Sequence, residues 1–126
     1  MSDEQTFGTR LKALRLEQQL SQRELAEKVA EKLKQQDGRG FDFTYLSKIE
    51  NNRMPPPSQR AILVLAEVLH ADSDELLALA GKAPADVGEQ LKNEKARVFF
   101  RSAVDQNLTP EQWDQLIEQL KRINEE

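Results

Sequence analysis

The chain has 126 residues, of which 38% are hydrophobic and 32% charged. That length and balance fit one compact domain, or a small domain with a helical appendage, and exclude wholesale disorder. Cysteine is absent and His70 is the single histidine, which removes disulfides, thiolate metal sites and histidine-built zinc sites. The net charge of −4 is uneven: residues 1–57 carry ten Lys/Arg against nine acids, and the rest carries eight against thirteen. Local patches rather than the sum decide whether phosphate is attracted, so the acidic total does not exclude nucleic acid. The start of the chain, Met1 to Glu4, is polar and lacks the apolar core of a signal peptide, and no run is long enough to span a membrane. A cytoplasmic location is the expectation.

Taken in chain order, Phe7, Leu11 and Leu14 fall at i, i+4, i+7 and mark one face of a first helix, capped by Thr6 and fading near Gln19. Ser21 and Glu24 form an S-x-x-E capping box for a second helix. Its inner stripe is Leu25, Ala26, Val29 and Leu33, and the pattern runs on toward Gln36. Asp37-Gly38-Arg39-Gly40 is a turn signal. Asp42 is placed to cap a third helix, Phe43 to about Asn51, with Leu46 and Ile49 inward and Asn52 suited to a left-handed exit. Three prolines, 55–57, forbid helix. Ser58 then caps a fourth helix with Ile62, Leu65, Ala66 and Leu69 inward. Asp72 and Glu75 box a short fifth helix that Gly81 ends. Beyond a boundary at Lys82-Ala83-Pro84 two further helices are expected. One carries Ala96, Phe99, Phe100, Ala103 and Val104 on one face. The other starts at Thr109-Pro110 and carries Trp113, Leu116, Ile117, Leu120 and Ile123. The fold class expected is all-α, in two parts, residues 1–81 and 82–126.

A helix entering the major groove needs one face for the protein and one for the bases. In the third helix, Leu46 and Ile49 hold the inner face and leave Phe43, Thr44, Ser47 and Lys48 for the groove. The Thr44 and Ser47 hydroxyls can exchange hydrogen bonds with base edges. Lys48 can reach guanine N7 and O6 or a phosphate, and Phe43 offers an apolar edge to a thymine methyl. Tyr45 stands at the flank, where its hydroxyl suits a phosphate oxygen. Gln22 and Arg23 open the second helix, whose free amides and positive dipole end favour a backbone phosphate. Asn51 and Arg53 follow the third helix and suit the next phosphate.

Residues from about Phe7 to Gly81 resemble the Xre/Cro/C1-type helix-turn-helix family, which includes the lambdoid phage repressors. The matching words are S-Q-R-E-L-A at 21–26, Y-L-S-K-I-E-N at 45–51, and L-A-E-V-L at 65–69 followed by D-E-L-L at 74–77. The resemblance implies a five-helix, lambda repressor-like domain whose second and third helices form the motif. It implies phosphate contact at Gln22, base contacts at Phe43, Thr44 and Lys48, and an ion pair between Arg15 and Glu50. The pair has its own logic, because Glu50 ends a helix where a carboxylate opposes the dipole and a guanidinium offsets it.

One departure stands out. Family members join the motif helices by a tight turn, whereas here the segment from Ala30 to Phe41 intervenes. It reads as an extended second helix and a glycine-hinged loop. Lys32, Lys34 and Arg39 either follow the DNA backbone or sit in solvent. The aromatic and aliphatic stripes past Gly81 call for a further surface, either the DNA-binding part or a second copy. A symmetric homodimer through Phe99, Phe100, Trp113, Leu116, Ile117 and Leu120 is the favoured expectation. Such a dimer reads a palindrome with half-site centres one helical turn, about 34 Å, apart or a multiple of it. No metal-ligand cluster, glycine-rich phosphate loop or nucleophile beside a histidine points to an enzyme, and no cofactor is expected. The expectation is therefore a sequence-specific double-stranded DNA-binding transcriptional regulator, most simply a repressor acting by occlusion. The alternatives are an antitoxin-type autoregulator, or an adaptor that uses the same fold to grip a protein partner.

Overall fold

The computed structural model describes residues 5–33 and 40–125. Among them are eight helices and no strand: α1 (Phe7–Glu17), α2 (Gln22–Leu33), α3 (Phe43–Glu50), α4 (Gln59–Leu69), α5 (Ser73–Leu79), α6 (Ala85–Gln90), α7 (Glu94–Gln106) and α8 (Pro110–Ile123). They form two compact units, Met1–Pro84 and Ala85–Glu126. No described helix is long and apolar enough to cross a membrane.

Helix starts in the first unit are set by short polar side chains that accept from orphan amides. Thr6 Oγ1 accepts from Thr9 N–H, and Thr9 Oγ1 accepts from Thr6 N–H, closing a reciprocal box. Ser21 and Glu24 do the same, at 3.0 and 2.8 Å. Asp42 accepts from Tyr45 N–H at 2.9 Å, Ser58 from Ala61 N–H, and Asp72 from Asp74 and Glu75 N–H. The box expected at Asp72 and Glu75 is one-sided: the Glu75 carboxylate meets Arg10 of α1 at 3.3 Å instead of returning to the cap. A long-range cation outcompetes the local amide there.

The apolar stripes meet in one core. Leu11, Leu25, Val29, Leu46, Ile49, Ile62, Leu65, Leu69, Leu76 and Leu77 are fully buried, each contributing on the order of 2 kcal/mol. Helix α1 packs on α3 and α5, α2 packs on α3 and α4, and α4 packs on α5. Gly8 is needed for the first of these contacts. A Cβ there would run into the carbonyl oxygen of Ile49 and come within 2.8 Å of that of Glu50. The backbone of α1 thus lies directly on the carboxyl end of α3.

One feature of this unit differs from the expectation. Phe41, assigned to the intervening segment, is buried in the core and stacks edge-to-face with Tyr45 at 5.4 Å. The segment therefore rejoins the core before α3 begins. The continuation of the second helix toward Gln36, the Asp37–Arg39 turn, Lys34 and Arg39 all lie outside the described residues.

The second unit has three helices where two were expected. The additional one, α6, is six residues long and follows Pro84; it buries no residue, which is why it left no apolar period to read. Asn93 caps α7, and the Thr109–Gln112 box caps α8 with Pro110 in its first turn. Among the described residues of this unit only Ala103 is buried. Val98, Phe99, Phe100, Val104, Trp113, Ile117, Leu120 and Ile123 are all exposed.

Candidate nucleic-acid interface

The reading helix is held at its carboxyl end by a buried ion pair. Arg15 of α1 donates from Nε to Glu50 Oε2 at 2.7 Å and from Nη2 to Oε1 at 3.0 Å, in the fork geometry that makes such pairs strong. Its remaining nitrogen, Nη1, donates to the Leu20 carbonyl at 2.8 Å, which ties the α1–α2 junction into the same network. Gln22, at the start of α2, donates from Nε2 to Glu50 Oε1 at 3.0 Å. Glu50 is only 3% exposed, so these donors are what make its burial tolerable. One carboxylate thus connects the end of α3 with both helices that precede it.

The outer face of α3 is polar and open. Thr44 and Lys48 are exposed, and Ser47 is half-buried. Asn51 Nδ2 donates to the Ser47 carbonyl at 2.8 Å and approaches its hydroxyl at 3.4 Å, so this side chain covers the last turn of the helix. The chain then turns out through Asn52 at φ +59°, with Arg53 N–H donating to the Lys48 carbonyl at 2.8 Å. That closure delivers Arg53 to the surface directly beyond the helix.

At the amino end of α3 the two motif helices meet through side chains. The Arg23 guanidinium lies over the Phe43 ring, 4.0 Å from its centroid. Among the described residues no carboxylate pairs with Arg23. Tyr45 is half-buried against Phe41, and burial raises its hydroxyl above the usual tyrosine value, so it keeps its proton and remains a donor at neutral pH. Glu24 moves the other way. Hydrogen bonds from the Ser21 backbone and hydroxyl hold its carboxyl below the usual range.

The structure brings Gln22, Arg23, Phe43, Thr44, Tyr45, Ser47, Lys48, Asn51 and Arg53 onto two adjoining helices and the exit of the second. Lys32, for which the sequence left a DNA-backbone contact and a solvent position both open, pairs with Glu67 of α4 at 3.0 Å, beside a groove lined by residues of α2 and α4. Phe99, Phe100, Trp113, Ile117 and Leu120 are exposed and Leu116 is half-buried, with Phe99 and Phe100 in an edge-to-face pair. Missed by sequence reasoning were the Arg23–Phe43 stack and the Gln22–Glu50 bond. A cation in the first turn of one motif helix and an aromatic opening the next is the one linear signal for the stack.

Residues 6–79 match a protein-family model described as a helix-turn-helix domain. No curated protein and no solved structure matches the chain. Match and geometry agree on the same stretch, α1 to α5, with α2 and α3 as the motif pair: the chain belongs to the helix-turn-helix domain family.

Proposed function

We propose that this chain is a sequence-specific double-stranded DNA-binding transcriptional regulator, acting in the cytoplasm as a homodimer on a palindromic operator. The observation that carries the reading is the two-sidedness of α3. Leu46 and Ile49 are sealed in the core while Thr44 and Lys48 stand exposed on the opposite side. A helix so built presents hydrogen-bonding side chains at a width the major groove accepts. Residues 1–81 carry the reader, with Phe43, Thr44, Ser47 and Lys48 toward bases and Gln22, Tyr45, Asn51 and Arg53 toward phosphates. Bound dimer represses most simply by covering the polymerase site.

Residues 82–126 supply self-association. Helices of 13 and 14 residues are marginal alone, and these two carry amphipathic stripes with almost no core of their own. Their exposed apolar side chains include Val98, Phe99, Phe100, Val104, Trp113, Ile117, Leu120 and Ile123, the kind of large apolar group that fills the core of a protein–protein interface. A second copy, bringing the same stripes, covers them symmetrically.

The test is selection of bound fragments from the source genome, followed by footprinting and measurement of affinity against salt. A protected palindrome and a steep salt slope are expected. Failure to bind any duplex at low salt overturns the regulator and leaves a protein-gripping adaptor. A small protein co-purifying on the second unit in place of a second copy favours the antitoxin-type autoregulator.

A further inference from the structure

We infer that Arg23 and Phe43 act together as one reader of a 5-methylpyrimidine–guanine step, the pyrimidine being thymine or 5-methylcytosine. The inference rests on the DNA-binding reading and assigns Arg23 to bases where its position alone suggested a phosphate. Arg23 belongs to the first turn of α2 and Phe43 opens α3, and the guanidinium lies over the ring at 4.0 Å. Three consequences follow from that arrangement.

First, the ring beneath it holds the guanidinium at the amino end of α3. A fixed fork of donors matches N7 and O6 of guanine in the major groove. Second, among the described residues no carboxylate pairs with Arg23, so its charge is not spent on an ion pair within the protein. Third, Phe43 is 37% exposed with Arg23 over one face of its ring, so part of the side chain stays open to an approaching base. The guanidinium carbon lies 4.0 Å from the ring centroid, comparable with the rise of about 3.4 Å between consecutive base pairs. The cation therefore addresses one base pair while the ring addresses the next. An aromatic edge beside a pyrimidine C5 gains from a methyl there, and thymine and 5-methylcytosine carry the same methyl.

The experiment uses the full chain. A random duplex library is first enriched on the wild type, and the preferred half-site is then rebuilt with TG, UG, 5-methyl-CG and CG at the chosen step. Affinities are measured for wild type, Arg23→Lys and Phe43→Ala, with circular dichroism confirming that each variant is folded. The wild-type half-site is expected to contain the step. Removing the methyl, T to U or 5-methyl-C to C, is expected to weaken wild-type binding about four-fold, the worth of one buried methyl-sized group. Phe43→Ala levels that difference. Arg23→Lys keeps the charge and loses the fork, so preference for the guanine falls about ten-fold while other positions hold. An enriched half-site lacking the step overturns the inference and leaves the regulator standing, as does a uniform loss across all four duplexes in both variants. If the wild type enriches no duplex, the regulator reading falls and this inference with it.

Discussion

Gly8 and Arg15 sit on the same helix and act on the same end of α3 by different means. At Gly8 the α1 backbone rests on the carbonyls of Ile49 and Glu50, leaving no room for a methyl. Gly8→Ala is expected to lower unfolding free energy by about 1–3 kcal/mol, through displacement of α1 from α3, as read by urea denaturation. Arg15 satisfies a carboxylate that is almost wholly buried, and removing it leaves that charge without its main partner. Arg15→Ala is therefore expected to cost about 3–5 kcal/mol. In conditions where the variant stays folded it should weaken binding to every duplex alike, because the tilt of α3 and not one base contact is disturbed. An Arg15→Ala variant that holds its operator as tightly as the wild type would show that the ion pair does not orient the helix.

At the scale of the element, caps decide where helices begin, and α3 is the shortest of the motif helices. Asp42→Ala removes the acceptor for the Tyr45 amide and is expected to cost about 1 kcal/mol. The loss should appear in amide exchange across the first turn of α3 before it appears in global unfolding. Glu24 adds a pH dependence to α2. Its carboxyl is depressed in the folded chain, so its contribution is present above the unfolded value of 4.5 and is lost as pH falls through the lower folded value. In thermal melts from about pH 6 down to about pH 3, the gap between wild type and Glu24→Gln should close on the acid side. These caps were legible in the sequence because capping is local: Thr6, Ser21, Asp42, Ser58, Asp72 and Thr109 each act within three residues. The inward stripes of α1 to α5 were legible for the same reason. What could not be read was what distant segments do to one another. Glu75 turns to Arg10, Lys32 to Glu67 and Arg23 to Phe43, and none of these choices is encoded by spacing. Phe41 was hidden because a single aromatic after a glycine-rich turn has no periodic neighbours, and α6 because it buries nothing.

For the whole molecule, the contrast between the two units matters most. The first closes a core of its own, whereas the second leaves Trp113, Ile117, Leu120 and Ile123 at the surface. Trp113→Asp with Leu116→Asp is expected to give a chain that sediments as a monomer and holds its operator weakly, with the first unit still folded. A wild-type chain that sediments as a monomer at micromolar concentration, with operator present, would remove the dimer from the proposal. The coreless tail carries a further consequence for dosage. Under the proposed pairing, association is a second-order event, so occupancy of a two-fold site climbs with the square of chain concentration while most chains are unpaired. A modest fall in synthesis then empties the site far more sharply than it thins the protein.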